Sequence, residues 1–260
     1  FLGHSGSGKT TFIETMLFES GVIPRRGSVE NHNTISDFTD LEHERENTLY
    51  SHLMHVKWHN NKINIIDTPG FDDFIGEVVS SLKVADTAVI LLNAASGVEV
   101  GTEIVWEYVQ NYQTPAFFVI NQMDQPKADF ETTLEQAVNR FGNKVIPIQY
   151  PYNSGEKFNS IIDVLRMTMY VFPENGGKPE KMPIPASELE KANALHNALV
   201  EAAAENEEGL MEKYFEKGNL DEEELAKGLT IALAHQQIYP VFCASGLKDM
   251  GSGRIMGFID

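Results

Sequence analysis

The chain of 260 residues is 42% apolar, enough for the core of one large domain or a domain with a sizeable insert, and no apolar run nears the ~18–20 residues that span a bilayer. A net charge of −18, from 38 acidic against 20 basic residues, repels phosphate backbones at long range, so a broad nucleic-acid surface is not expected and any RNA contact would be local and shape-specific; neither DNA nor a membrane is an expected partner. The single cysteine, Cys243, forms no internal disulfide and no secretory signal opens the chain, so a reducing cytoplasm is the expected compartment.

Phe1-Leu2 runs straight into Gly3-His4-Ser5-Gly6-Ser7-Gly8-Lys9-Thr10, a fit to G-x-x-x-x-G-K-[ST]. The glycines let backbone N–H groups turn inward on phosphate oxygens. A helix predicted over 10–20, stopped by Gly21, adds its positive N-terminus. Lys9 supplies a point charge for the β- and γ-phosphates, Thr10 a hydroxyl for magnesium, and Thr11 belongs to the same binding run. Residues 24–47 are polar and aperiodic, a length that marks a functional or mobile loop in a compact domain. Strands are predicted over 49–58 and 63–67. The second delivers Asp67-Thr68-Pro69-Gly70 at its C-terminal end, where Asp67 reaches magnesium through a water and the Gly70 N–H senses a γ-phosphate.

A helix over 74–85, a strand over 85–92, a helix over 103–111 and a strand over 116–120 follow. Several of the predicted strands are apolar throughout, as strands covered on both faces are. The strand over 116–120 opens on Asn121-Gln122-Met123-Asp124, whose Asp124 accepts from guanine N1–H and N2–H, a donor pair that adenine lacks. A helix is predicted over 130–141.

The texture changes between about 150 and 237. Turn formers cluster in 173–185. A helix over 187–205 places Leu189, Ala192, Leu195, Leu199 and Ala203 on one face, with Ser187 and Glu190 as a capping box. Two more are predicted, over 207–217 with Gly218 as the stop and over 221–236. A strand over 238–244 restores the earlier pattern, and Ala244-Ser245-Gly246 at its end offers backbone N–H groups to guanine O6. The expected fold is α/β, a mostly parallel sheet with helices on both faces and an inserted α-rich subdomain before the last strand. The expected division is a GTP-binding core over 1–149, a helical insert over 150–237, and the last strand with its base loop over 238–260. The chain starts on a bare loop and 251–260 opens a helix, so a fragment of a longer multidomain protein is expected. The eight histidines show no metal-ligand spacing, and Cys243 reads as an inert core thiol.

The four ligand-side motifs come in a fixed order. They are joined by Glu42-His43-Glu44-Arg45 ahead of Thr48, by Glu207-Glu208-Gly209-Leu210-Met211-Glu212-Lys213-Tyr214, and by Pro240-Val241-Phe242-Cys243 before Ala244. Together they make the chain similar to the G domain of elongation factor G, a translational P-loop GTPase, over essentially its whole length. The resemblance implies GTP or GDP with Mg2+ at His4, Ser5, Gly6, Ser7, Gly8, Lys9, Thr10, Thr11, Asp67, Gly70, Asn121, Gln122, Asp124, Ala244, Ser245 and Gly246. Counting back without gaps from Asp67 puts the family's switch threonine on Thr48, so the implied metal ligands are Thr10, Thr48 and, through a water, Asp67. It also implies a monomer that acts in ribosomal translocation, with the ribosome as partner and the large-subunit stalk protein meeting the acidic insert. Ribosomal protection proteins and release factor three share this kind of G domain and are alternatives. A non-hydrolysing GTP-dependent ribosome-binding switch is another.

The departures from the family pattern concern one step. Lys9 and Gly70 face the γ-phosphate as expected, but the catalytic histidine that follows D-T-P-G is Phe71 here. Loss of such a proton-handling group costs ~100- to 10,000-fold in rate. The family's apolar gate falls on Ser5 and Asn47, its P-loop aspartate on Gly6, a glycine on Glu46, and the lysine of N-K-x-D on Gln122. The binding groups are retained and the hydrolytic ones are lost, so binding of GTP with slow hydrolysis is expected.

Overall fold

A computed structural model describes residues 1–174 and 176–260; Asn175, inside the predicted turn cluster, and the Lys217 side chain lie outside the described set. The elements of the first half are α1 (Lys9–Glu19), α2 (Asp40–Arg45), β1 (His52–Trp58), β2 (Asn61–Asp67), α3 (Ile75–Leu82), β3 (Ala88–Asn93), α4 (Val100–Asn111), β4 (Ala116–Asn121) and α5 (Phe130–Phe141). Those of the second half are β5 (Val145–Pro147), β6 (Gln149–Pro151), β7 (Ser160–Asp163), β8 (Thr168–Val171), β9 (Glu180–Met182), α6 (Leu189–Ala204), α7 (Glu208–Lys217), α8 (Glu222–Ala234), β10 (Tyr239–Cys243) and α9 (Ser252–Ile259).

The central sheet is parallel in the order β3-β4-β10-β5. Leu2 bridges Ile90 in parallel and the Phe1 N–H donates to Ile66 O at 2.7 Å, so Phe1-Leu2 joins the antiparallel β1–β2 pair to that sheet. Neighbouring aromatics on β4 point to opposite faces. Phe117 meets Phe258 of α9, while Phe118 stacks on Phe141 of α5 at 5.0 Å and meets Trp106 of α4. Helices therefore cover both faces, and this is why β3 and β4 carry unbroken apolar sequence. Register aligns Asn93 with Asn121 and Ile120 with Cys243, so the loops after β3, β4 and β10 leave the sheet at one level, where an open α/β sheet binds its ligand.

The insert differs from a purely helical block. Before its three helices it forms an antiparallel sheet in the order β6-β7-β8-β9, and the first of these strands straddles the expected boundary at residue 149. Its strands are three or four residues long, too short to display a period of two. Ile148 ties this sheet to the main one, donating to Val241 O at 3.0 Å and accepting from the Val164 N–H at 3.1 Å. On α6, Ala192, Leu199 and Ala203 are buried as predicted, whereas Leu189 is exposed. The Ser187–Glu190 box does not form, since Glu188 occupies the N-cap without a side-chain bond. Capping boxes form instead at α8, from Asp221 and Glu224, and at α2, from Thr39 and Glu42. The helix α2 interrupts the predicted structureless stretch 24–47, and β1 begins at His52, three residues later than predicted.

Candidate functional site

The loop before α1 wraps Lys9. Its ammonium donates to Gly3 O at 2.9 Å and His4 O at 3.2 Å and is buried. Burial lowers it to about 8, while the Asp67 carboxylate opposes that shift. Two glycines are required by close approach. A Cβ on Gly8, already at φ 84°, meets the Asn121 amide at 2.7 Å, and one on Gly70 meets Lys9 Nζ at 2.5 Å and the Ser5 backbone at 2.8 Å. The Asp67–Gly70 turn therefore closes directly over the phosphate loop.

Three residues predicted to hold a metal come together. The Thr10 hydroxyl donates to Asp67 Oδ2 at 2.8 Å and lies 3.0 Å from the Thr48 hydroxyl. Asp67 is fully buried, and its Oδ1 has no hydrogen-bond partner among the described residues. Burial pushes its carboxyl up; Lys9 and the Thr10 hydroxyl oppose this. Asp37, a residue the sequence reading missed, stands on the same side. It is 4% exposed, its Oδ1 is also without a partner among the described residues, and burial, together with the charges of Asp67 and Glu42, pushes it up to about 6, against the Thr48 hydroxyl. Its only sequence signal was an aspartate in an aperiodic loop. Two dehydrated carboxylates beside two hydroxyls form an oxygen donor set that suits a hard divalent cation such as Mg2+. Ser5, Gly6, Gly8, Lys9, Thr10, Thr11, Thr48, Gly70 and Gln122 line one cleft of 220 Å³, with Asp37, Glu46 and Asn47 on its wall.

The base-side motifs interlock. The Asn121 amide donates to Ser7 O at 2.9 Å, and its carbonyl accepts from the Gly246 N–H at 3.0 Å, so one side chain ties the phosphate loop to the loop after β10. Asp124 Oδ1 accepts from the Ser245 hydroxyl at 2.6 Å, which orients the carboxylate. The Ala244 N–H donates to Ile120 O, and the Met123 N–H donates to Ala244 O, fixing these two loops against each other. Gln122 donates to Gly6 O at 3.0 Å and accepts from Asn93 at 2.6 Å, so its stem lies along the phosphate loop.

His4, Ser7 and Phe71 do not line the cleft. His4 points toward Glu99 at 3.6 Å, and its Nδ1 is buried without a partner among the described residues. Ser7 is buried behind the loop. Phe71 is 45% exposed and caps a 3-10 turn over Asp72–Phe74. The two gate positions touch each other: the Ser5 hydroxyl donates to Asn47 Oδ1 at 3.3 Å. Glu46 adopts φ 51°, a left-handed conformation that glycine takes without strain.

His52, Glu42 and Asp37 converge closely enough to resemble a metal cluster, which histidine spacing did not reveal. The Glu42 oxygens are nonetheless filled by the Thr39 hydroxyl, the Leu49 N–H and His52 Nε2, the last at 2.7 Å. The group therefore acts as a latch that fastens the 24–47 segment to β1.

A family model described as "Elongation factor Tu GTP binding domain" matches residues 1–260. Elongation factor G of Mycoplasma genitalium is 35% identical over 253 residues, 96% of this chain and 36% of that protein. A crystal structure from Thermus thermophilus superposes with a TM-score of 0.92 at 31% identity, covering 99% of this chain and 38% of that one. The chain thus spans little more than a third of the length of these relatives. With its phosphate loop, Thr10–Thr48–Asp67 cluster and interlocked base loops, it belongs to the elongation factor Tu GTP binding domain family, as an elongation-factor-G-like G domain.

Proposed function

We propose that this domain binds GTP and GDP with Mg2+ and hydrolyses GTP slowly. The observation that carries the binding half is the meeting of the Thr10 and Thr48 hydroxyls with Asp67 beside a buried Lys9. Thr10 and Thr48 would hold Mg2+ directly and Asp67 through a water, with Asp37 as a further carboxylate at its side. The ion would neutralise phosphate charge when bound. Lys9 stabilises the β- and γ-phosphates, the Gly70 N–H reports the γ-phosphate, and Asp124 with the 244–246 backbone selects guanine. Segments 24–47 and 67–74 order around the γ-phosphate and relax without it, which is the output of the domain. The core over 1–149 and 238–260 performs this cycle, and 150–237 is a partner-facing insert.

The hydrolytic half rests on Phe71 and on the Ser5–Asn47 pair. A phenyl ring neither orients nor deprotonates water, and a polar gate admits bulk solvent where an apolar one excludes it. In the full-length protein the expected setting is the cytoplasm and the ribosome, where the GTP state would control translocation and the acidic insert would meet the stalk protein. The same two features favour a second reading, a ribosome-binding switch that cycles by nucleotide exchange. Single-turnover GTP hydrolysis on programmed ribosomes separates the two. Phe71→His is expected to raise the rate by at least ~10-fold if its absence limits turnover. A wild-type rate equal to that of a histidine-bearing elongation factor G contradicts the slow-hydrolysis reading.

A further inference from the structure

We propose that Arg26 is a positioning residue for the guanine-binding loop and couples that loop to the 24–47 segment. The inference rests on the base-site reading above. The loop after β10 must present its backbone N–H groups to guanine O6, so the orientation of the peptides at Gly246 and Leu247 decides how well the base is held. Gly246 is buried against Phe12, but the Leu247 side chain is 65% exposed, so packing does little to fix the second peptide. Hydrogen bonds complete the orientation. Arg26 Nη1 donates to Gly246 O at 3.1 Å and to Leu247 O at 2.8 Å. The buried Thr15 hydroxyl on α1 donates to Gly246 O at 2.7 Å and accepts from the same guanidinium nitrogen at 3.3 Å. On the opposite edge of that loop, the Gly246 N–H is held by Asn121. Arg26 is thus the one contact between the 24–47 segment and the base loop among the described hydrogen bonds.

The guanidinium is itself held. It lies 5.9 Å from the Phe18 ring centroid, and the next peptide is pinned to α1, where the Glu14 carboxylate accepts from the Gly27 N–H at 2.8 Å and from the Ile35 N–H at 3.0 Å. Glu14 is buried, so these two bonds anchor the start of the segment whose far end carries Thr48. A segment that tightens around metal and γ-phosphate at Thr48 thereby keeps Arg26 on the base loop. Release of that segment frees the Leu247 carbonyl, leaves Gly246 O to Thr15 alone, and loosens the guanine contact. Both carbonyls and the Thr15 hydroxyl are met by one guanidinium nitrogen, Nη1, whose direction is set by the planar group to which it belongs, whereas a lysine ammonium swings freely on its stem.

The test uses full-length protein and stopped-flow displacement of fluorescently labelled GDP and of 6-thio-GDP, whose sulfur is a poor acceptor at the position of O6. Arg26→Ala is expected to speed GDP dissociation about 10-fold, equivalent to about 1.4 kcal/mol. Its effect on 6-thio-GDP is expected to be about 2-fold or less, because the contact it supports is already weak there. Arg26→Lys, which preserves charge and bulk, is expected to fall between. Unchanged GDP release in both variants overturns the proposal, as does equal acceleration for both nucleotides, which would mean a general loosening of the fold. A wild-type protein that does not distinguish GDP from ADP overturns the base-site reading beneath it.

Discussion

Asp124 and Lys9 show how a side chain's surroundings convert its chemistry into selectivity. The Ser245 hydroxyl holds Asp124 Oδ1, so under the proposed function the carboxylate would present a fixed edge to the base. Asp124→Asn turns a pair of acceptors into an acceptor and a donor. Equilibrium titration is expected to show guanine affinity falling at least ~100-fold, the cost of an unpaired buried donor plus a lost charged bond, and xanthine affinity rising. Unshifted preference would place the base elsewhere. Lys9 gives a pH-dependent expectation. Its folded value of about 8 lies below its ordinary 10.5, so between these limits the unfolded chain binds more protons and the nucleotide-free domain gains stability as pH rises. Nucleotide phosphates favour the ammonium and raise it again. Binding near pH 8.5 is therefore expected to take up protons, measurable by calorimetry in two buffers of different ionisation enthalpy, and affinity is expected to fall as pH rises through that window. Heat independent of buffer would contradict this. Thr10, Asp67, Asn121 and Asp124 were legible because short motifs encode their chemistry. Asp37 was not, because its place beside Thr48 depends on a fold of the 24–47 segment that no local pattern announces.

Helices and long strands were legible for a similar reason. The apolar run of β4 and the periodic α5 announce themselves, and α5 begins and ends where its sequence pattern does. Asp129 caps it by accepting from the Thr132 N–H, and Gly142 follows its last residue. The antiparallel sheet of β6 to β9 was hidden because three- and four-residue strands, one containing Pro151, resemble loops until their partners are known. Its register depends on long-range contacts such as the Arg254–Asp163 ion pair, in which an arginine of α9 reaches a buried carboxylate of β7 at 2.7 Å. On β4, Phe118 joins α4 and α5 to the sheet. Phe118→Ala is expected to cost about 3–5 kcal/mol by urea denaturation, from lost burial and the cavity left behind. A loss below about 1 kcal/mol would mean that this aromatic layer is not the clamp between helices and sheet.

At the scale of the molecule, the sheet brings the phosphate loop, the Thr48 segment, the Asp67–Gly70 turn, the Asn121–Asp124 turn and the 244–246 loop to one edge. Groups far apart in sequence thus share a small set of side chains: Thr10 links the phosphate loop to Asp67 and Thr48, and Asn121 links it to Gly246. This cross-linking makes the site a candidate switch, since loss of one ligand group loosens several loops at once. Ser5 and Asn47 line the same cleft and leave these links intact. The most direct measurement is a titration of the purified protein in Mg2+ with GDP, GTP, ADP and ATP. The account predicts saturable guanine binding with a preference of at least ~100-fold over adenine, since Asp124 meets a donor pair in one base and not in the other. Equal affinity for guanine and adenine nucleotides, or none for either, would contradict it.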